Sequence, residues 1–460
     1  MSREQAYLAL LEPHPDIIVG LMPLKMDLNI SSSNGIKRDR VSPIELLPPE
    51  IKVDIFSLCD IKTIYNVALT GPMLHRFVRG NEERLSRNIL CREISPGLRC
   101  LAAACYKVEY NGFPVIRGKE YGSEQTNLTR IFLSSGLLDD QVFEARNSDG
   151  FYSSFPCTLE KAHKVLSFHS TVCYFATTLA GQAVKKGRSP IKPFTNEIPS
   201  APPYVTQVSS RELHRFIKAL YIFDLASVIL PCGEAAGDMR DLWDNFWDHF
   251  SPWEQQQVRC VQRMLQDWIN DRVILQRGAR FKHRGERILG QFVIHKGLAR
   301  LRACETEIST TQDPVTEFAN ALFFNTSPLK EIVWMPGMDE FWLGEDEDTV
   351  TLDTIDLLSR YEEEDSGPQD AWLHTLLENR IDDPIFYEGH FTQFECEACM
   401  TVWGFVFWDR AKLDWYSQND MPTTDEMLDA AEDTLMSREN FRQSAWGRTG
   451  GYCTGWPWSS

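Results

Sequence analysis

Apolar residues recur along this chain at intervals of three and four, the period of helices buried on one side, and proline, glycine and capping residues punctuate them. Pro48-Pro49-Glu50 suits a first helical turn, where a missing N–H costs nothing and a carboxylate faces the positive helix end. Ile51, Ile55, Phe56 and Cys59 are predicted to share one face of that helix. Asp60 is the expected N-cap of a second helix, with Ile61, Ile64, Tyr65, Ala68 and Leu69 as its apolar stripe. Thr70-Gly71-Pro72 breaks it, and Pro72 opens a third helix with Met73, Leu74, Phe77 and Val78 as apolar positions. Three such stripes within about forty residues cannot bury one another completely, so a partner surface is implied.

The same period continues downstream. Leu85, Ile89, Leu90 and Ile94 predict a helix over residues 81–106. Leu159, Ala162, Val165, Leu166, His169, Val172, Cys173 and Ala176 predict a long one over 159–186. Another is expected from Ser209 through Leu230, stopped by Pro231-Cys232-Gly233. Leu242, Trp243, Phe246, Trp247 and Phe250 form an aromatic stripe whose spacing is that of a buried helix face, with a recognition groove as the alternative. Ser251-Pro252-Trp253-Glu254 has the form of a capping box and opens a helix to about Leu275. Further helices are expected over 314–324, 350–361, 368–379 and 425–441, while residues 401–410 are β-prone or buried helix. The fold class is therefore mostly α, a small three-helix unit followed by a larger irregular helical domain without recognisable repeats. Its segments read as a flexible polar leader (1–41), the three-helix unit (42–80), a helical connector (81–186), a Pro/Gly-rich exposed linker (187–208) and an aromatic-rich helical domain (209–460).

The residues of the three-helix unit resemble the F-box, whose pattern is Leu-Pro-x-Glu-Ile/Leu, three residues, Ile/Leu-Phe, then a helix of spaced Leu and Ala. Leu47, Pro48, Glu50, Ile51, Ile55, Phe56, Ile61, Ile64, Val67, Ala68 and Leu69 fit it. The turn from Thr70 to Phe77 is similar to the version in many filamentous-fungal F-box proteins. Cys59, Gly71 and Leu74 depart from the usual residues. The resemblance implies docking to the Skp adaptor of an SCF-type cullin-RING ubiquitin ligase, with Leu47, Pro48, Glu50, Ile51, Ile55, Phe56, Ile64, Ala68 and Leu69 as adaptor-binding residues. It also implies a protein substrate, held by residues 209–460, brought for ubiquitination and degradation. The chain itself would be a non-catalytic subunit, cytoplasmic and/or nuclear.

Composition narrows the rest. With 460 residues, 43% of them hydrophobic, there is material for more than one core. Twelve unevenly spaced cysteines read as reduced thiols rather than a disulfide framework. Neither a signal peptide nor a membrane span is recognised. A net charge of −18 disfavours nucleic acid as a partner. From Glu340 to Asp370 twelve carboxylates face Arg360 alone, whereas Arg277 to Arg302 is basic; the two blocks either pair within the fold or serve as solvated faces or a docking site. Cys396-Glu397-Ala398-Cys399 lacks two further zinc ligands at a standard spacing, and no metal or cofactor is expected. Nucleophile-elbow, His-Glu-x-x-His and phosphate-loop signatures are missing. Isolated His169 reads as a satisfied core histidine rather than a base. The rival readings are a scaffold using the F-box outside any ligase and an enzyme of unrecognised type in residues 159–445.

Overall fold

In the computed structural model the described residues are 42–110, 129–133, 138, 158–187, 203–230, 240–269, 297–299, 301–302, 364–378, 403–416, 423 and 425. Among them the regular elements are helices, without a strand. In chain order they are α1 (Pro49–Ser57), α2 (Ile61–Leu69), α3 (Pro72–Gly80), α4 (Glu82–Glu93), α5 (Pro96–Tyr110), α6 (Leu159–Gly187) and the short α7 (Pro203–Thr206). They continue as α8 (Ser210–Ile229), α9 (Arg240–Trp247), α10 (Pro252–Ile269), α11 (Gly367–Glu378) and α12 (Arg410–Tyr416). The mostly α class follows from the three-to-four period. The leader, the helices expected over 314–324 and 350–361, and nearly all of 425–441 lie outside the described residues.

The chain divides into two units, Met1–Pro48 and Pro49–Ser460. In the first, the described residues form a 3-10 turn, Pro43–Leu46, closed by Ser42 N–H donating to Glu45 Oε2 (3.0 Å) and Glu45 N–H donating to the Ser42 carbonyl (2.9 Å).

The second unit grows from local signals. Asp60 caps α2, accepting from Thr63 N–H at 2.7 Å and from its hydroxyl at 2.9 Å. Ile61, Ile64 and Ala68 of α2 pack inward with Leu74 and Val78 of α3 and with Val53 and Phe56 of α1; the Phe56 and Phe77 rings lie 5.6 Å apart. The helix predicted over 81–106 is two helices. Pro96 cannot continue α4 but can open α5, and Arg99 bridges the break by donating to the carbonyls of Ile94 (3.1 Å) and Cys91 (2.8 Å). These are carbonyls the end of α4 would otherwise leave unpaired.

α4 also joins the first three helices to the rest of the unit. Its Asn88 donates to Ser57 Oγ (2.9 Å), and its Arg92 donates to the carbonyls of Ser57 and Cys59, a cation where the α1 dipole is negative. At its other end Glu82 accepts from Leu159 N–H (2.9 Å), capping α6. On α6 Leu159, Ala162, Val165, Val172 and Ala176 of the predicted stripe are buried, joined by Phe168 and Phe175, while Leu166, His169 and Cys173 are half-buried.

From Ala219 to Ala226 every residue of α8 is buried, as in a helix surrounded by others, and the helix packs against α5, α6 and α10. The sequence pattern separates 81–186 from 209–460, but α5 and α6 on one side of residues 187–208 share a core with α8 on the other. The reason is that Phe216, Tyr221 and Phe223 need apolar cover on more than one side of α8. Residues 188–202 of that stretch lie outside the described residues, and Val205 of α7 is buried.

Ser209 and Glu212 form a capping box at the start of α8 (2.8 and 3.0 Å), as Ser251 and Glu254 do at α10 (2.8 and 3.4 Å). Of the predicted aromatic stripe, Leu242, Phe246 and Trp247 of α9 and Phe250 just after it are buried, and the Trp243 side chain lies outside the described residues. Residues 401–410, of ambiguous type in sequence, contain the 3-10 turn Phe405–Phe407. It is preceded by Gly404 at φ +73°, where a Cβ would stand 3.0 Å from Met264 Cε. Phe407 then stacks on Phe216 at 3.8 Å.

Candidate docking face

On α1 the apolar residues form two stripes rather than one. Val53 and Phe56, three apart, point into the bundle, whereas Ile51 and Ile55, at i and i+4, point out, and Leu58, in the turn just after Ser57, is exposed as well. Exposures of 44% for Ile51, 37% for Ile55 and 77% for Leu58 leave a row of large aliphatic side chains facing water. The expectation that Ile51, Ile55, Phe56 and Cys59 share a face is therefore corrected. Phe56 lies about 100° around the helix from Ile55, which turns it toward Phe77 while Ile55 stays outside. Leu69 at the end of α2 and Met73 at the start of α3 are also exposed, at 64% and 54%.

The residues singled out as adaptor-binding thus fall into three groups. Glu50, Ile51, Ile55 and Leu69 are accessible; Phe56, Ile64 and Ala68 are internal and hold the helices that carry them. Leu47 and Pro48 belong to the first unit, where Pro48 is exposed and Leu47 half-buried. Leu58 and Met73 were missed as accessible positions. The i, i+4, i+7 spacing of Ile51, Ile55 and Leu58 was the signal for the first.

A second polar constellation sits deep in the larger unit. Lys412 and Glu212, 2% and 1% exposed, pair at 2.7 Å, and Lys412 Nζ also donates to the Gln207 carbonyl (2.9 Å) and lies 4.2 Å from the centre of the Trp408 ring. Glu212 additionally accepts from Asp409 N–H (3.1 Å). Arg215 donates to Asp409 (2.8 Å) and to the Phe407 carbonyl (3.0 Å). Arg410 pairs with Asp370 and Asp414, each at 2.7 Å, while Asp365 accepts from Arg410 N–H (2.8 Å). Every one of these polar groups has partners, so the arrangement pins residues 403–416 to the start of α8.

The described members of the acidic block, Glu364, Asp365 and Asp370, lie near Arg211, Arg215 and Arg410, outside the basic block. Arg302 of the basic block instead covers the Tyr174 ring at 3.4 Å. The rest of both blocks, and Cys396 and Cys399, lie outside the described residues.

His169 is half-buried, with both ring nitrogens close to polar partners. Its Nδ1 is 2.8 Å from the Tyr221 hydroxyl and its Nε2 is 3.4 Å from Cys173 Sγ. Burial pushes its pKa below the ordinary imidazole value, against the opposing pull of Glu93, and pushes the Cys173 thiol up. The pair is thereby held neutral, which does not favour a thiolate nucleophile. Among the described residues no group of three or more His, Cys, Asp or Glu could hold a metal ion, and no helix is long and apolar enough to cross a membrane. No family model, no curated protein and no solved structure matches this chain.

Proposed function

We propose that this chain is an F-box substrate adaptor, linking a target protein to an SCF-type ubiquitin ligase through the Skp adaptor and its cullin scaffold. The observation that carries the reading is the outward pair Ile51 and Ile55 on a helix whose other large apolar residues are internal, followed by exposed Leu58 in the turn after it. Exposed aliphatic rows of this kind mark interaction sites, and a helix laid into an apolar groove through i, i+4, i+7 anchors is a recurrent mode of recognition. The role is positioning. Holding a substrate lysine near activated ubiquitin raises its effective concentration, and the chemistry belongs to other subunits. The cytoplasm or nucleus is the compartment this role requires.

Coexpression with a Skp-type adaptor and cullin tests the reading. The wild-type chain should bring down both, and the Ile51→Ala/Ile55→Ala double variant should lose them while keeping its helical circular dichroism, because both side chains are already partly in water. Two truncations at a buried contact cost about 2–3 kcal/mol together, roughly thirtyfold or more in Kd. Capture of the adaptor without cullin would favour the scaffold reading, and undiminished capture by the folded double variant would remove α1 from the interface.

A further inference from the structure

The outward row of α1 is not electrically neutral. Glu50 and Asp54 are exposed and flank Ile51 and Ile55: Asp54 stands three residues after Ile51, on the same outward half of the helix. Among the described residues neither carboxylate has an ion-pair partner. Lys52, the cation of α1, is buried with its ammonium 5.6 Å from the centre of the Phe77 ring. Asp60 spends its carboxylate on capping α2. Exposed Lys62 and Arg76 carry the opposite sign on α2 and α3, so the negative edge is particular to α1.

A partner that closes over Ile51 and Ile55 also removes water from Asp54. An unpaired carboxylate trapped at a contact opposes binding, whereas one that meets a cation steers encounter and fixes orientation. Resting on the adaptor reading, we infer that the surface receiving α1 has an apolar floor and carries Lys or Arg side chains opposite Asp54 and Glu50.

The test is the association kinetics of the full chain with a purified Skp-type adaptor, at low and at physiological salt, for wild type, Asp54→Asn and Asp54→Lys. Asp54 is the position to change because Glu50 also supports the helix N-terminus. We expect the wild-type on-rate to fall as salt rises. Asp54→Asn should be slower by about fivefold at low salt with a flatter salt dependence, and Asp54→Lys slower still, by more than about tenfold. Dissociation should quicken as well, because losing a carboxylate at a contact that excludes water leaves the opposing cation unpaired. Equal on-rates and equal salt dependence in all three chains would overturn the cationic surface and leave the adaptor reading standing. No association by the wild type would overturn the adaptor reading and this inference with it.

Discussion

Lys412 gives the sharpest test of how the larger unit is held. Its ammonium is 2% exposed and meets the Glu212 carboxylate, the Gln207 carbonyl and the Trp408 ring, so Lys412→Met keeps the length of the stem and removes three polar contacts at once. Glu212, 1% exposed, would then be a buried carboxylate supported only by the N–H groups of Ser209 and Asp409. Breaking a buried pair from one side costs about 3–5 kcal/mol, and the two remaining donors place the expectation near the lower end, about 3 kcal/mol. In urea, with a slope of about 3 kcal/mol per molar, the midpoint falls by about 1 M. Tryptophan fluorescence can follow the transition, since buried Trp408 lies against Lys412. The double variant Glu212→Gln/Lys412→Met removes both charges and keeps a residue able to complete the capping box, so it should recover at least half of the loss. A midpoint within about 0.3 M of wild type for Lys412→Met, or a double variant less stable than the single, would refute the reasoning.

Other outcomes follow from single sites. Burial depresses the pKa of both His169 and His214, with Lys218 and Arg215 adding to the effect at His214. Below about pH 6.5 the unfolded chain therefore binds more protons than the folded one, and stability present above that pH is lost as pH falls. Urea midpoints at pH 7.5 and 5.5 should show this drop, and His214→Asn should shrink it; an unchanged drop would clear His214 of the effect. Ser251→Ala removes the α10 cap and should cost about 1 kcal/mol by urea titration. Gly404→Ala must adopt φ +73° against Met264 and should lower stability by about 1–2 kcal/mol, with a null result showing that the turn relaxes.

What the sequence made legible was local. Asp60, Ser251, Glu254 and the prolines at positions 49, 72 and 252 act within one helical turn, so the starts of α1, α2, α3 and α10 follow from a few neighbouring residues. The stripe of α6 could be read because its buried positions repeat every three to four residues over its length. Pro96 was passed over because Leu85, Ile89, Leu90 and Ile94 keep the same period up to the break. The site was half legible. Periodicity finds apolar positions without saying which stripe turns inward, and on α1 Phe77 and α4 decide that question. The network around Lys412 was out of reach, because Glu212 and Lys412 are 200 positions apart and nothing local marks either as buried.

The most direct test of the central claim is hydrogen–deuterium exchange of the full chain with and without a saturating Skp-type adaptor. Exchange reports protection segment by segment. We expect binding to slow exchange across Ile51–Leu58 and across Leu69–Met73, with α8 and α10 unchanged. Binding that protects other segments and leaves α1 as it was, or no complex at tens of micromolar, would contradict the assignment of this face.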